Sequence, residues 1–272
     1  MRYLYLILII ITNASCSHVK QSDKALLKHL QNFNPEGIKK ELSRDIHPGQ
    51  EGEFFLTFSF FEACSNGDLN RVKELLEAGS NIHSVTALGK TALHLACESK
   101  RSSTELVKFL INHGLDINGN FKTHLKIEKF CWSPLMIACV HRNVDIARVL
   151  IEKGAMIDEK DAGGDTPLLK ASFYGSVKIV EELLKNGANI KAINNEGNTA
   201  LHEAFLGYMT KNTLFSSSKD SYTEEDFEEI MNLLNHYGID FYARNNQGKT
   251  IQDLIQDFKT NVAQTGAPNP EA

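Results

Sequence analysis

The chain has 272 residues, of which 42% are hydrophobic and 23% charged, with a formal net charge of −5. That is enough apolar sequence to bury a substantial core. The acidic balance argues against a nucleic-acid binder, which usually carries a basic excess, and no block of like charge singles out another partner.

At the N-terminus, Arg2 precedes a nine-residue apolar run, 3–11. This is far short of the roughly 18–20 residues that span a bilayer. It suits the apolar core of an export signal followed by small and polar residues. Asn13-Ala-Ser-Cys16 resembles a bacterial lipobox, in which the cysteine becomes the acylated first residue of the mature protein. Asn13 departs from that pattern, where an aliphatic residue usually stands. Residues 1–15 are read as a signal peptide and Cys16 as a lipidation site; plain export and a buried N-terminal segment are the other readings. Ser17 in place of Asp implies, by the same resemblance, outer-membrane retention in Gram-negative cells. Residues 16–59 read as a tether and an N-terminal capping helix, with apolar pieces at Ala25, Leu26, Leu27 and Leu30, then Ile38 and Leu42, broken at Asn34-Pro35.

From Phe60 onward a unit recurs. Its clearest copy is 166–192: a short apolar helix, a turn at Gly175, an amphipathic helix and a stop at Gly187. Val177, Ile179, Val180, Leu183 and Leu184 fall on one face, with Lys178, Glu181, Glu182 and Lys185 on the other. The stopping glycine returns at Gly79, Gly114, Gly154, Gly187 and Gly238, in steps of 35, 40, 33 and 51 residues. The opening signal returns as Thr91-Ala-Leu-His94, Ser133-Pro-Leu-Met136, Thr166-Pro-Leu-Leu169 and Thr199-Ala-Leu-His202. A two-helix unit with two apolar flanks is stable only when stacked. These motifs resemble the ankyrin repeat family, with its T-P-L-H-x-A signature, over Phe60 to about Ile255. The resemblance implies an all-α ankyrin-repeat solenoid of helix-turn-helix units with β-turn fingers on one edge. It would occupy 60–258, with about five repeats and a degenerate C-terminal cap. Residues 259–272, with Gly266, Pro268 and Pro270 and no apolar period, read as a disordered tail.

Cys64, Cys97 and Cys139 each follow an alanine at one repeat position, where the fourth repeat has Ser172. Adjacent repeats sit about 10 Å apart, as packed helices do, and a disulfide needs Cα atoms within about 7 Å. The three cysteines are therefore read as small core fillers. His94 and His202 occupy the signature histidine, which by resemblance bonds the backbone of the turn; neither has partners at metal-ligand spacing. Gly89-Lys90-Thr91 and Gly248-Lys249-Thr250 look like ends of phosphate-binding loops, but the required earlier glycines are Ser84 and Ala243. Both read as turn chemistry. His202-Glu203 lacks the second histidine of a zinc protease helix, and no Gly-x-Ser-x-Gly elbow occurs. No catalytic residue, cofactor or metal is expected; the one enzymatic alternative is Cys131 with His124.

Two departures from the repeat stand out, since loops on a rigid scaffold often carry function. Between Asn118 and Ser133 lie 14 residues, against seven between Asp158 and Thr166. This longer finger holds Phe121, Leu125, Ile127, Phe130 and Trp132, interleaved with Lys122, His124, Lys126 and Lys129. The alternation over 124–130 suggests an extended hairpin with one apolar face, folded back onto the array or presented to a partner. Trp132, beside the Ser133 turn, is expected to pack inward. The second departure is an insert of 18 residues, the difference between Ala204–Ile230 and Ala171–Ile179. Thr223-Glu-Glu-Asp226 within it reads as an N-cap.

By resemblance, the variable concave positions are Glu98, Ser99, Ile137, Val140, His141, Lys170, Phe173 and Tyr174. The expected partner-binding residues are Phe121, Phe130, Trp132, Val140, His141, Phe173 and Tyr174, with aromatic side chains as candidate hot spots. The alternative for Phe173 and Tyr174 is packing under the repeat-five insert. The expected function is a non-catalytic module, lipid-anchored in the cell envelope (outer membrane or periplasm), binding another protein through the concave face and the 119–132 finger. Its sharper form is an immunity-type inhibitor of a toxic enzyme. The alternative is a secreted ankyrin effector engaging a host protein.

Overall fold

The computed structural model describes residues 51–86, 89–99, 101, 103–119, 132–214 and 222–265. Within them lie eleven helices: α1 (Glu51–Asn66), α2 (Leu69–Glu77), α3 (Ala92–Glu98), α4 (Thr104–Asn112), α5 (Pro134–Val140), α6 (Val144–Glu152), α7 (Pro167–Phe173), α8 (Val177–Lys185), α9 (Ala200–Leu214), α10 (Glu224–His236) and α11 (Ile251–Thr265). The helices pair as α1/α2 through α9/α10, five repeats, and α11 closes the array. Inner helices α1, α3, α5, α7, α9 and α11 pack in succession, and outer helices α4, α6, α8 and α10 pack behind them. The all-α solenoid expected from the sequence is the fold observed.

Local chemistry explains the unit. Thr166 is the N-cap of α7, its hydroxyl accepting from Leu169 N, with Pro167 at the first helical position, where its missing N–H costs nothing. Along α8, Val177, Ile179, Val180, Leu183 and Leu184 are buried while Lys178 and Lys185 stay in water. Gly187 then takes φ 87°; its N–H donates to Leu184 O and Ala188 N–H to Leu183 O. This is the left-handed helix stop that favours glycine.

The fingers hold one another in register. Asp161 N donates to Asp165 O, Asn194 N to Asn198 O, and Asn245 N to Lys249 O. Across fingers, Asn195 N donates to Gly163 O and Asn246 N to Glu196 O, each at 2.9 Å. The signature histidines tie finger to helix. Thr199 N donates to His202 Nδ1, whose other ring nitrogen, Nε2, lies 3.1 Å from Lys249 O. His94 accepts from Thr91 N in the same way, and burial holds its imidazole down to about 4. The two Gly-Lys-Thr tripeptides sit at these turns, with Thr91 as the N-cap of α3 and Thr250 just before α11.

Cys64, Cys97, Cys139 and Ser172 are fully buried, one per repeat, and the three cysteines are free thiols. Burial pushes Cys64 up to about 12 and the other two higher still. They are core fillers, as their register predicts.

Two sequence boundaries move. α1 runs through the expected boundary at 59/60, making one helix of the cap and the first inner helix. α11 runs through the boundary at 258/259 to Thr265. Between Thr250 and Gly266 there is no glycine or proline to end it.

The repeat-five insert is spread over three places. α9 has 15 residues against seven in α7, and α10 has 13 against nine in α8. The rest lies between Leu214 and Thr223. Thr223 caps α10 in a reciprocal box with Asp226, as expected.

Candidate protein-interaction face

The inner face of repeats three to five is built on a polar floor. Lys170, in α7, projects to the base of its own finger, with Nζ 3.0 Å from Asp161 Oδ2 and 2.5 Å from Asp165 Oδ2. Its side chain is 13% exposed and that of Asp161 3%. Burial alone would lower the Lys170 ammonium; hydrogen bonds and charge from Asp165 and Asp161 outweigh it and hold the group above its ordinary range. The ammonium also stands 5.2 Å from the centre of the Trp132 ring, a cation–π distance. Trp132 Nε1 donates to Asp161 Oδ2 at 3.0 Å. Asp161 Oδ1 in turn accepts from Gly163 N and Asp165 N, which fixes the turn.

The next repeat uses the same positions with the polarity changed. Glu203, in α9, occupies the register position of Lys170. Its Oε1 accepts from Asn194 Nδ2 and Asn198 Nδ2, each at 2.9 Å. Asn194 Nδ2 also donates to Asp165 Oδ1, and Asn245 Nδ2 to Asn198 Oδ1. The floor is therefore continuous from Trp132 to the finger that precedes α11. Burial pushes the Glu203 carboxyl up to about 7, against the two asparagine hydrogen bonds.

Above this floor are the side chains available for contact. Phe173 and Tyr174 end α7, half-buried, with ring centroids 5.2 Å apart in an edge-on arrangement. Val140 is half-buried and His141 exposed at the corresponding end of α5, the helix packed beside α7. Burial raises the Tyr174 hydroxyl, with the charges of Lys170 and Asp165 acting on it in opposite directions. Phe173 and Tyr174 touch each other, and Val140 and His141 hold the matching positions one repeat away. Trp132 packs inward, as expected from its place beside the Ser133 turn, and its indole N–H is used within the fold. Gly207 of α9 lies directly against the Phe173 carbonyl, so the insert covers the Phe173 backbone and leaves both rings partly exposed. Cys16, Phe121, Phe130 and Cys131 lie outside the described residues.

Other register positions are less open than the resemblance implied. Ile137 is 1% exposed and Ser99 5%, so neither offers a contact surface. Lys170 belongs to the floor. The sequence did carry a signal for it: Asp161 and Asp165 flank its own turn, just as Asn194 and Asn198 flank the turn of Glu203. Among the described residues no three His, Cys, Asp or Glu side chains come together as a metal site.

The family model for ankyrin repeats (3 copies) matches residues 60–161 and 155–245. The chain is 33% identical over 145 residues to the E3 ubiquitin-protein ligase KEG of Arabidopsis thaliana, covering 53% of this chain and 8% of KEG. It is 23% identical over 265 residues to the putative ankyrin repeat protein L371 of Acanthamoeba polyphaga mimivirus, covering 82% of this chain and 34% of L371. It is 27% identical over 203 residues to the putative ankyrin repeat protein YahD of Escherichia coli strain K12, covering 74% of this chain and 90% of YahD. The match thus spans a small part of KEG and about a third of L371, and no activity of the larger proteins passes to this chain with it. The chain belongs to the ankyrin repeat family, and ankyrin repeats imply a protein–protein interaction module.

Proposed function

We propose that the array binds another protein across the inner face of repeats three and four and catalyses no reaction. The observation that carries this reading is the edge-on Phe173–Tyr174 pair, half-exposed on α7 beside Val140 and His141. Partly exposed aromatics on a rigid support suit hot spots, because little side-chain freedom is lost on binding. The support here is the Lys170–Asp161–Asp165 cluster, which holds α7 to its finger. The 119–132 finger takes part in the same binding, and Cys16 anchors the protein in the cell envelope. The sharper form is an immunity-type inhibitor, occluding a toxic enzyme there.

Site-specific photocrosslinking in the native cells tests the face. A crosslinker at Tyr174 should trap one protein that a crosslinker at Lys178, on the outer helix, does not. Equal labelling from both positions would remove the inner face as the site. Fractionation beside a Cys16→Ala variant tests the anchor: membrane association lost in the variant supports it. A soluble wild-type chain would move the secreted-effector reading forward.

A further inference from the structure

The turn between inner and outer helix carries a left-handed residue in three of the repeats. Gly67 (φ 74°), Arg142 (φ 56°) and Gly175 (φ 67°) fill that position in repeats one, three and four. Arg142 is the non-glycine residue with positive φ among those described. A branched-off side chain is disfavoured in this region and persists where surrounding contacts hold it. The position therefore asks what the arginine side chain does that glycine would not.

The outer-helix N-caps give a second anomaly. In repeat three Asn143 Nδ2 donates to Ser99 O at 3.2 Å, and in repeat four Ser176 Oγ donates to Cys139 O at 2.7 Å. Each reaches back one repeat. In repeat five the N-cap is Thr223, and its hydroxyl accepts from Asp226 N instead. Asp226 Oδ2 accepts from Thr223 N at 3.1 Å and lies 3.3 Å from Arg142 Nη2, two repeats back. The Arg142 and Asp226 side chains are 31% and 24% exposed, more shielded than a free surface pair. Beside them Tyr222 is fully buried against Gly175 of repeat four: a Cβ there would come within 2.5 Å of its ring. Tyr222 also stands edge-on to Tyr208, which stacks on Phe227 at 5.4 Å.

We propose that the Asp226–Arg142 pair, with Tyr222 seated on Gly175 of repeat four, forms a brace that couples repeat five directly to repeat three. An ordinary array is a chain of nearest-neighbour interfaces; here the return of the repeat-five insert adds a contact two repeats long. Repeats three to five, the ones carrying the floor and the Phe173–Tyr174 pair, open as one unit. Arg142 occupies the left-handed position because its guanidinium is one end of the brace.

Native-state hydrogen exchange on the full chain tests the brace. Asp226→Asn keeps an acceptor for the Thr223 cap and removes the charge. It should speed exchange of the α6 amides, in repeat three, about three- to tenfold, the lower part of the range of a contact coupling, as suits a partly exposed pair. In an Arg142→Gly background, which also relieves the turn, Asp226→Asn should leave α6 exchange unchanged. The brace is overturned if Asp226→Asn leaves α6 untouched in the otherwise native chain, or speeds it equally in both backgrounds.

Discussion

Replacing Gly175 with alanine incurs two costs, of which Gly187 carries only the first. At φ 67° the backbone is left-handed, which costs a residue with a Cβ about 1–2 kcal/mol. The new methyl would also sit 2.5 Å from two ring carbons of Tyr222, and that ring is fully buried with no open side to move toward. Overpacking of this kind adds about 1–3 kcal/mol. Gly175→Ala should therefore cost about 2–5 kcal/mol. Gly187→Ala is the control: φ is 87° there, with nothing within 4 Å of the added carbon, so about 1–2 kcal/mol is expected. Urea unfolding of the full chain reads both. In a Tyr222→Ala background the two glycine substitutions should cost the same. Equal costs in the otherwise native chain would refute the packing of Tyr222 on the repeat-four turn.

Two further outcomes follow from the burial pattern. Leu183→Ala, at a fully buried position of α8, should lower stability by roughly 2–5 kcal/mol through the cavity it leaves; a melting curve matching wild type would contradict the stacking of outer helices. Glu203 binds its proton more tightly folded than unfolded, because burial raises its carboxyl from 4.5 to about 7. Its contribution therefore falls as pH rises through that window and is flat above it. Glu203→Gln, which keeps the acceptor for Asn194 and Asn198, should be more stable than wild type near pH 8, by at most about 3 kcal/mol. The gap should close toward pH 4.5, and a difference independent of pH between wild type and variant would contradict the buried carboxylate.

The repeat itself was legible because its chemistry is local. A threonine cap, a proline at the first helical position, an apolar face at helical period and a left-handed glycine all fall within one unit, and each does what its residue type predicts. Thr223 and Asp226 could be read as a cap for the same reason. What escaped was chemistry between units. Lys170 reads as a concave contact until Asp161 and Asp165 are seen closing on it. Asp226 reads as a first-turn helix acid, with no hint that Arg142, 84 residues earlier, is its partner. Tyr222 gives no periodic signal at all, and its site is a glycine whose lack of a side chain is the feature that matters. The helix ends were missed differently: α1 and α11 continue past the repeat because the residues there permit helix, and a repeat signature cannot mark where permission ends.

Repeats three and four are proposed to present a binding face around Phe173 and Tyr174. The most direct measurement is the affinity of Tyr174→Ala and Phe173→Ala for the protein trapped at position 174, taken together with the melting temperature of each variant. Weakening by roughly 1–4 kcal/mol with melting nearly unchanged is the expected result. Unaltered affinity with a lowered melting temperature would make both residues packing side chains and remove this face as the binding site.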